Sequence, residues 1–370
     1  SRVTFGLSWA LAVMVCMRRI GNFPVDPAKI NRSVPAGRQN RPRSKSASLL
    51  APESGNTDSP NLVPTMLMQR RTFLKTSLAG AGLVALPGAI RLSRAEAPKV
   101  TLKLSSQEGR VPGASLKDKV GNLEQWGASA IELGGNAQGR LAEIKEALKG
   151  TSIKVSAICW GSHGGDLVSR DKAKQAKGIQ DLKDILATAG ELAAAGVIFV
   201  PCFHKQSDLP PDELDKILLD ILPAIGEHAQ KAGSRVLLEP LNKNETFYLN
   251  RIEQAAAICA KVNHPAICLM GDFYHMGLEE KSDQQAFVTG GTWLHHVHLA
   301  SRVRWLPGQD KLKEPDQPER SFVDGFRGLK RIGYQDYCSL ECGMPKGAKG
   351  EECVPASFDF LRRQWDEAAV

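Results

Sequence analysis

Eight short apolar runs rich in β-branched residues alternate with longer segments of helical periodicity between residues 98 and 370. Runs such as GVIFVPCF (196–203) have the length and composition of buried strands, whereas the intervening segments repeat their apolar residues every three or four positions. Regular alternation of strand and helix favours a parallel sheet, and eight units favour its closure. The sequence therefore predicts an α/β fold consisting of a single (β/α)₈ TIM barrel.

The length of this region agrees with that fold, since its 273 residues are close to the roughly 250 of an ordinary (β/α)₈ barrel. The alternative is an open doubly wound sheet, but no G-x-G-x-x-G motif follows the first strand. The predicted strands are TLKLSS (101–106), AIELGG (130–135), KVSAICW (154–160), GVIFVPCF (196–203), RVLLEPL (235–241), AICLMGD (266–272), HHVHLA (295–300) and DYCSLEC (336–342).

The sequence before residue 98 divides into two parts. Residues 1–65 contain a short apolar stretch and a Pro/Ser/Asn/Arg-rich segment, which predicts a disordered extension. Residues 66–97 combine QRRTFLK, a 15-residue apolar segment and an A-x-A site, and they resemble a twin-arginine export signal. Because Met66 and Met68 precede this signal, the extension is also explained by a translation start assigned too far upstream. We expect a periplasmic or extracytoplasmic protein with no stable membrane insertion, since the apolar segment is too short to span a bilayer.

The positive charge of the chain is confined to its N-terminal part. The net charge is +8, but residues 1–97 carry 14 basic and 4 acidic residues, which leaves 34 basic and 36 acidic residues in 98–370. A nearly neutral barrel lacks the basic surface that binding to a phosphate backbone requires. We therefore expect no nucleic-acid partner.

The eight cysteines contain no C-x-x-C pair, so neither a structural zinc site nor a disulfide scaffold is predicted.

Four predicted strands each end in a residue able to bind a metal ion: Glu239, Asp272, His298 and Glu341. The carboxyl ends of barrel strands converge on one mouth, where active sites form. Any one of the acidic residues also fits the role of an N-cap for the following helix. Together, three carboxylates and one imidazole favour a hard divalent cation. We expect Mn²⁺, with Mg²⁺, Co²⁺ and Zn²⁺ as alternatives.

The motifs around these residues resemble the xylose isomerase-like superfamily of sugar isomerases and epimerases, in its ketose 3-epimerase and hydroxypyruvate isomerase branch. The motifs are LEPLNKNE, GDFYHM, HVHLASRVRWLPG and SLECG, and the resemblance covers most of residues 100–345. It implies that Glu239, Asp272, His298 and Glu341 bind the metal and that Glu245, His275 and Arg304 contact the substrate. Ser301 departs from the Asp that many relatives carry at that position. The resemblance also implies a homodimer or homotetramer.

These residue types suit proton transfer next to a carbonyl group. A divalent cation compensates the charge of an enediolate, and carboxylates on opposite faces of a sugar remove and return the proton. We expect Glu239 and Glu341 to form this acid–base pair, while His275 and Arg304 orient the carbonyl oxygen. Epimerisation and aldose–ketose isomerisation both remain open, with a sugar or keto-sugar as substrate.

Three other functions are compatible with such a barrel. A lyase or dehydratase of an oxidised sugar or inositol derivative would use the same metal site. A non-catalytic sugar-binding barrel would not need both carboxylates, and an apurinic-site endonuclease would need a basic surface and more histidines than the eight present. At other strand ends we expect His296 to support the site without binding metal, and Glu132, Trp160 and His163 are weaker candidates for the pocket.

Overall fold

The computed structural model describes residues 100–370. The predicted extension (1–65) and the predicted export signal (66–97) lie outside these residues, so both stay predictions. Within the described range, all eight predicted strands are present and each pairs in parallel with the next, β8 closing the sheet against β1. The prediction of a single closed (β/α)₈ barrel is thus confirmed. The strands are β1 (Lys103–Gln107), β2 (Ala130–Gly134), β3 (Lys154–Gly161), β4 (Val197–Phe199), β5 (Val236–Leu238), β6 (Ile267–Asp272), β7 (Leu294–Leu299) and β8 (Tyr337–Leu340).

Helices follow every strand, as the periodicity predicts. They are α1 (Leu116–Gln125), α2 (Leu141–Leu148), α3 (Lys172–Glu191), α4 (Pro211–Ala232), α5 (Ile252–Val262), α6 (Phe273–Glu279), α7 (Asp283–Gly290), α8 (Val323–Arg331) and α9 (Gly350–Glu367). Two of them, α6 and α7, share the connection after β6, so β6 passes directly into a short helix that begins at the mouth of the barrel. Among residues 100–370, no helix combines the length and apolarity needed to cross a membrane.

Two apolar cores stabilise the barrel. The larger fills the space between the outer faces of the strands and the surrounding helices. The smaller lies inside the barrel and consists of Ala157, Ile198, Leu237, Cys268 and Met270. Each large aliphatic side chain fully buried in such a core contributes about 1.5–3 kcal/mol. The seven cysteines of the described range are all free thiols.

Gly271 lets the outer helices approach the strand that carries Asp272. A Cβ atom at this position would lie 2.8 Å from Cε1 of Phe287 on α7 and 3.1 Å from Sδ of Met276 on α6. Distances this short would force the packed side chains of Phe287 and Met276 to shift. The glycine therefore lets side chains of both helices pack closely against the end of β6, next to Asp272.

Candidate metal centre and active site

The four side chains at the strand ends converge, as their spacing predicts. Glu239 follows β5, Asp272 ends β6, His298 lies in β7 and Glu341 follows β8. One potential ligand atom from each of the four lies within 4.8 Å of the others. Asp272 and His298 have no exposed surface, and Glu239 is 5% exposed. The structure thus places three carboxylates and an imidazole around one small volume at the mouth of the barrel.

The two ring nitrogens of His298 face different surroundings. Its Nε2 lies 2.9 Å from Oε2 of Glu132, which is close enough for an N–H donor to a carboxylate. Its Nδ1 lies 3.1 Å from Oε2 of Glu341, 3.6 Å from Oε1 of Glu239 and 3.7 Å from Oδ2 of Asp272. This Nδ1 is buried and makes no hydrogen bond within residues 100–370. A histidine that donates one N–H to a carboxylate and leaves its other nitrogen free has the arrangement of a metal ligand.

The electrostatics of the cluster also fit a cation. Burial, reinforced by the charges of Glu341 and Asp272, raises the pKa of Glu239 to about 7. Burial opposes ionisation of Glu341 as well, yet His298 and Arg304 hold the pKa of that carboxyl well below its usual range. Burial disfavours a charged His298, but Glu132 and Glu341 raise the pKa of the ring far above its ordinary value. A divalent cation would supply the positive charge that this concentration of carboxylates requires, and oxygen ligands with a single nitrogen suit Mn²⁺ or Mg²⁺.

The two carboxylate oxygens of Asp272 have different contacts, one with the start of a helix and the other with the cluster. Its Oδ1 accepts hydrogen bonds from the backbone N–H groups of Tyr274 at 2.6 Å and His275 at 3.4 Å, and it thereby caps α6. Its Oδ2 faces His298 and accepts a hydrogen bond from Arg304 Nη1 at 3.0 Å. The cap fixes the rotation of the carboxylate, which leaves the second oxygen directed at the cluster.

A second layer of polar side chains orients the cluster from inside the barrel. The carboxylate of Glu132 contacts Nε2 of both His298 and His296, the latter at 2.8 Å. The side-chain amide of Gln107, at the end of β1, donates to Oε1 of Glu132 at 2.9 Å and to Oε1 of Glu341 at 3.0 Å. His296 is buried beside His298, with their ring centroids 5.2 Å apart. Glu132, predicted only as a weaker candidate for the pocket, contacts both histidines, and Gln107 was not among the predicted residues.

The three predicted substrate residues lie on one side of the cluster. Arg304 donates to Asp272 and, through Nη2, to Oε2 of Glu341 at 2.5 Å. Its Nη1 is 3.3 Å from Nε2 of His275. Glu245 lies next to His275, with its Oε1 3.9 Å from Nδ1 of that ring. Burial lowers the pKa of His275, which favours the neutral ring. All seven predicted site residues therefore meet at one end of the barrel.

A tight turn places Arg304 in this position. Arg304 has φ of 60°, a left-handed conformation that is costly for a residue with a Cβ atom. Hydrogen bonds on both sides hold it there: its N–H donates to Ser301 O at 3.0 Å, and its carbonyl accepts from Gly343 N at 2.7 Å. The hydroxyl of Ser301, which is fully buried, accepts from Trp305 N at 3.1 Å. The residue that departs from the family pattern thus shapes the loop that carries Arg304.

Trp160 and His163 contact each other at the end of β3 and in the loop that follows it. Their rings stack at 4.7 Å with an angle of 9° between the planes. Nε2 of His163 lies 2.6 Å from Oδ2 of Asp181 on α3, so the ring contacts an outer helix. These contacts favour a structural role for the pair, which the sequence offers only as weaker candidates for the pocket.

Comparison with known proteins gives a consistent result. The model of the family described as xylose isomerase-like TIM barrel matches residues 120–364. The 3-dehydro-D-guloside 4-epimerase of Escherichia coli (strain K12) is 26% identical over 273 residues, which span 70% of this chain and 99% of that protein. The L-ribulose 3-epimerase of Methylomonas sp. (strain DH-1) is 26% identical over 205 residues, 54% of this chain and 68% of the relative.

A solved structure agrees with the fold. The crystal structure of the 3-keto-D-glucoside 4-epimerase from E. coli superposes with a TM-score of 0.63 at 23% identity, and the match covers 71% of this chain and all of that one. At this level of identity the superposition supports the fold alone.

Proposed function

Since the chain belongs to the xylose isomerase-like TIM barrel family, we propose that it is a divalent-metal-dependent epimerase of keto-sugars. Its relatives are sugar epimerases, and they confirm the prediction of an enzyme of the isomerase class. One observation in particular supports the dependence on a divalent metal. The buried Nδ1 of His298 makes no hydrogen bond within residues 100–370, and it faces three carboxylates whose ligand atoms lie within 4.8 Å of one another.

The proposed substrate is a sugar or glycoside with a carbonyl group next to the carbon that is inverted. The activities of the two relatives differ in the carbon that is inverted, which is position 4 in one and position 3 in the other. Position 4 is next to the carbonyl carbon of a 3-keto-glycoside, and position 3 is next to the carbonyl carbon of a 2-ketose. The shared chemistry is therefore removal and return of a proton at a carbon next to C=O.

The residues of the site divide this chemistry between them. When bound by Glu239, Asp272, His298 and Glu341, the cation supplies positive charge next to the carbonyl oxygen. One carboxylate, Glu239 or Glu341, takes the proton from the carbon, and the C–H electron pair moves toward the carbonyl to give an enediolate. N–H groups of Arg304 and His275 donate to the oxygen on which negative charge develops.

Inversion follows from the second carboxyl group. It returns a proton to the opposite face of the same carbon, the carbonyl re-forms, and the product is the epimer. Delivery of the proton to the neighbouring carbon would give aldose–ketose isomerisation instead.

Product analysis in D₂O tests the proposal. We expect the Mn²⁺-loaded protein to interconvert epimers of at least one member of a panel of 2-ketopentoses, 2-ketohexoses and 3-keto-glycosides. NMR should show one deuterium at the inverted carbon, because the second carboxyl group, which returns the proton, carries deuterium from the solvent. Loss of water or of the aglycone from an oxidised sugar or a keto-inositol would indicate a lyase. Absence of turnover on the whole panel would contradict the proposal.

We propose further that the protein acts outside the cytoplasm after twin-arginine export, on the evidence of residues 66–97. The double substitution Arg70→Lys and Arg71→Lys is expected to leave the protein in the cytoplasm, because the export machinery reads the arginine pair. Immunoblots of periplasmic and cytoplasmic fractions measure the outcome, with Lys75→Arg as the control that keeps the charge and the pair. Export of the double variant at the level of the unchanged protein would contradict this proposal.

The homodimer or homotetramer implied by the family resemblance is likewise proposed.

A further inference from the structure

His275 Nδ1 is surrounded by hydrogen-bond donors. The backbone N–H of Asn242 donates to it at 3.2 Å, and the side-chain Nδ2 of the same residue lies 2.7 Å away. The backbone group has only a donor role, whatever the state of the ring. The nearest carboxylate oxygen, Oε1 of Glu245, is 3.9 Å away, beyond hydrogen-bond distance.

The orientation of the Asn242 amide is fixed by its other contacts. Its Oδ1 accepts a hydrogen bond from the backbone N–H of Asn244 at 2.9 Å. Its Nδ2 donates to Oε1 of Glu245 at 2.9 Å. Rotating the amide by 180° would place an N–H against an N–H and an oxygen against a carboxylate, so both contacts would be lost. The amide therefore also presents an N–H to His275.

We propose that Asn242 is a positioning residue that holds His275 in the tautomer with its proton on Nε2. Asn242 is 1% exposed and His275 is 1% exposed, so solvent does not offer Nδ1 an alternative acceptor. A proton on Nδ1 would meet only N–H groups, whereas a lone pair there is satisfied twice. The consequence for catalysis rests on the proposed function, but the assignment of the proton does not.

This tautomer gives the active site two converging donors. Nε2–H of His275 and Nη1 of Arg304 lie 3.3 Å apart, and two N–H groups cannot satisfy each other. One N–H of Nη1 already donates to Oδ2 of Asp272 at 3.0 Å, but its second N–H and the Nε2–H of His275 still need an acceptor, and one oxygen atom placed between them would serve both. Such an oxygen, on the carbon next to the inverted centre, is where negative charge develops during proton removal. Asn242 thus determines that His275 donates to this oxygen.

Selective ¹⁵N labelling of histidine tests the assignment directly. In the protein loaded with Mg²⁺, which is diamagnetic, we expect the His275 Nδ1 resonance at the position of an unprotonated nitrogen and the Nε2 resonance at that of a protonated one. The spectrum of His275→Gln identifies the two resonances. A protonated Nδ1 would overturn the proposal, whether or not the protein turns over any keto-sugar.

Two substitutions of Asn242 distinguish an effect on the tautomer of His275 from an effect on packing. Asn242→Asp keeps the shape of the side chain but offers His275 a carboxylate, so Nδ1 should become protonated and kcat should fall about 10²–10³-fold, the loss typical of one oxyanion donor. Asn242→Ala removes more volume but keeps the backbone donor, so Nδ1 should stay unprotonated and the loss should be about 10-fold. A purely structural role would predict the opposite order, because alanine is the larger change.

Asn250→Asp is the matched control in the same loop. Its side-chain amide donates to the carbonyls of Leu241 at 2.8 Å and Thr246 at 3.1 Å, so the change disturbs the loop without facing His275. We expect the His275 resonances to keep their positions in this variant. Equal shifts in Asn250→Asp and Asn242→Asp, or Asn242→Ala as the more damaging change at position 242, would overturn the proposal.

Discussion

Replacing Glu341 by glutamine is expected to lower kcat for epimerisation about 10³-fold, within the range lost with a general acid or base. Although one of the donors Gln107 and Arg304, which contact different carboxylate oxygens, loses its acceptor, glutamine keeps the size of the side chain and one oxygen for the metal. It cannot accept the substrate proton, however. The loss should therefore appear in kcat, while the KM for the keto-sugar changes by a smaller factor.

Solvent exchange distinguishes a two-base mechanism from a general loss of activity. In Glu341→Gln the Glu239 carboxyl group remains, so it should still exchange the proton of the one epimer that it faces, without inversion. NMR in D₂O measures this exchange separately from epimerisation. Glu352→Gln on the surface of α9, where the side chain is 70% exposed and pairs with Lys349, is the matched control and should keep the original kcat. Turnover by Glu341→Gln at the rate of the unchanged protein would exclude the acid–base role.

The fold could be predicted from the sequence because each strand is a separate apolar run rich in β-branched residues. The apolar runs fall on the observed strands, but their ends differ where loops are buried. GVIFVPCF and RVLLEPL predict strands of seven or eight residues, whereas β4 covers Val197–Phe199 and β5 covers Val236–Leu238. Residues such as Cys202 and Leu241 after these strands remain buried. Apolar composition reports burial, and it does not by itself show where the ladder of hydrogen bonds ends.

The site was predictable only in part. Glu239, Asp272, His298 and Glu341 combine ionisable side chains with strand ends, and the spacing of βα units brings such residues together. Gln107 and Asn242 are neutral amides, a residue type common in any loop, so nothing in the sequence sets them apart. Gln107 reaches Glu341, 234 positions away, only because β1 closes against β8. The structure is needed to identify contacts that arise from closure of the barrel and proton positions that depend on several hydrogen-bond donors.

Removing the divalent cation is expected to abolish turnover and to lower the melting temperature by about 5 °C or more. A cation present at 100 times its Kd stabilises the folded protein by about 2.7 kcal/mol, and about 2–4 °C follows from each kcal/mol in a domain of roughly this size. Without it, the positive charges that face the three clustered carboxylates within residues 100–370 are those of Arg304 and a protonated His298. EDTA treatment followed by stepwise return of Mn²⁺, with scanning calorimetry and the epimerase assay on the same samples, measures both effects.

Two histidines of one strand provide the variants that locate the cation. His298→Ala removes the nitrogen that faces the three carboxylates, and we expect it to lose the Mn²⁺-dependent rise in melting temperature together with activity. His295 lies on the same strand, but its Nδ1 contacts Asp336 at 2.7 Å outside the cluster, so His295→Ala should keep the full response to Mn²⁺. Because metal binding and catalysis are read separately, a Mn²⁺ response that persists in His298→Ala would place the cation elsewhere. Loss of the response in His298→Ala alone would tie it to the mouth of the barrel.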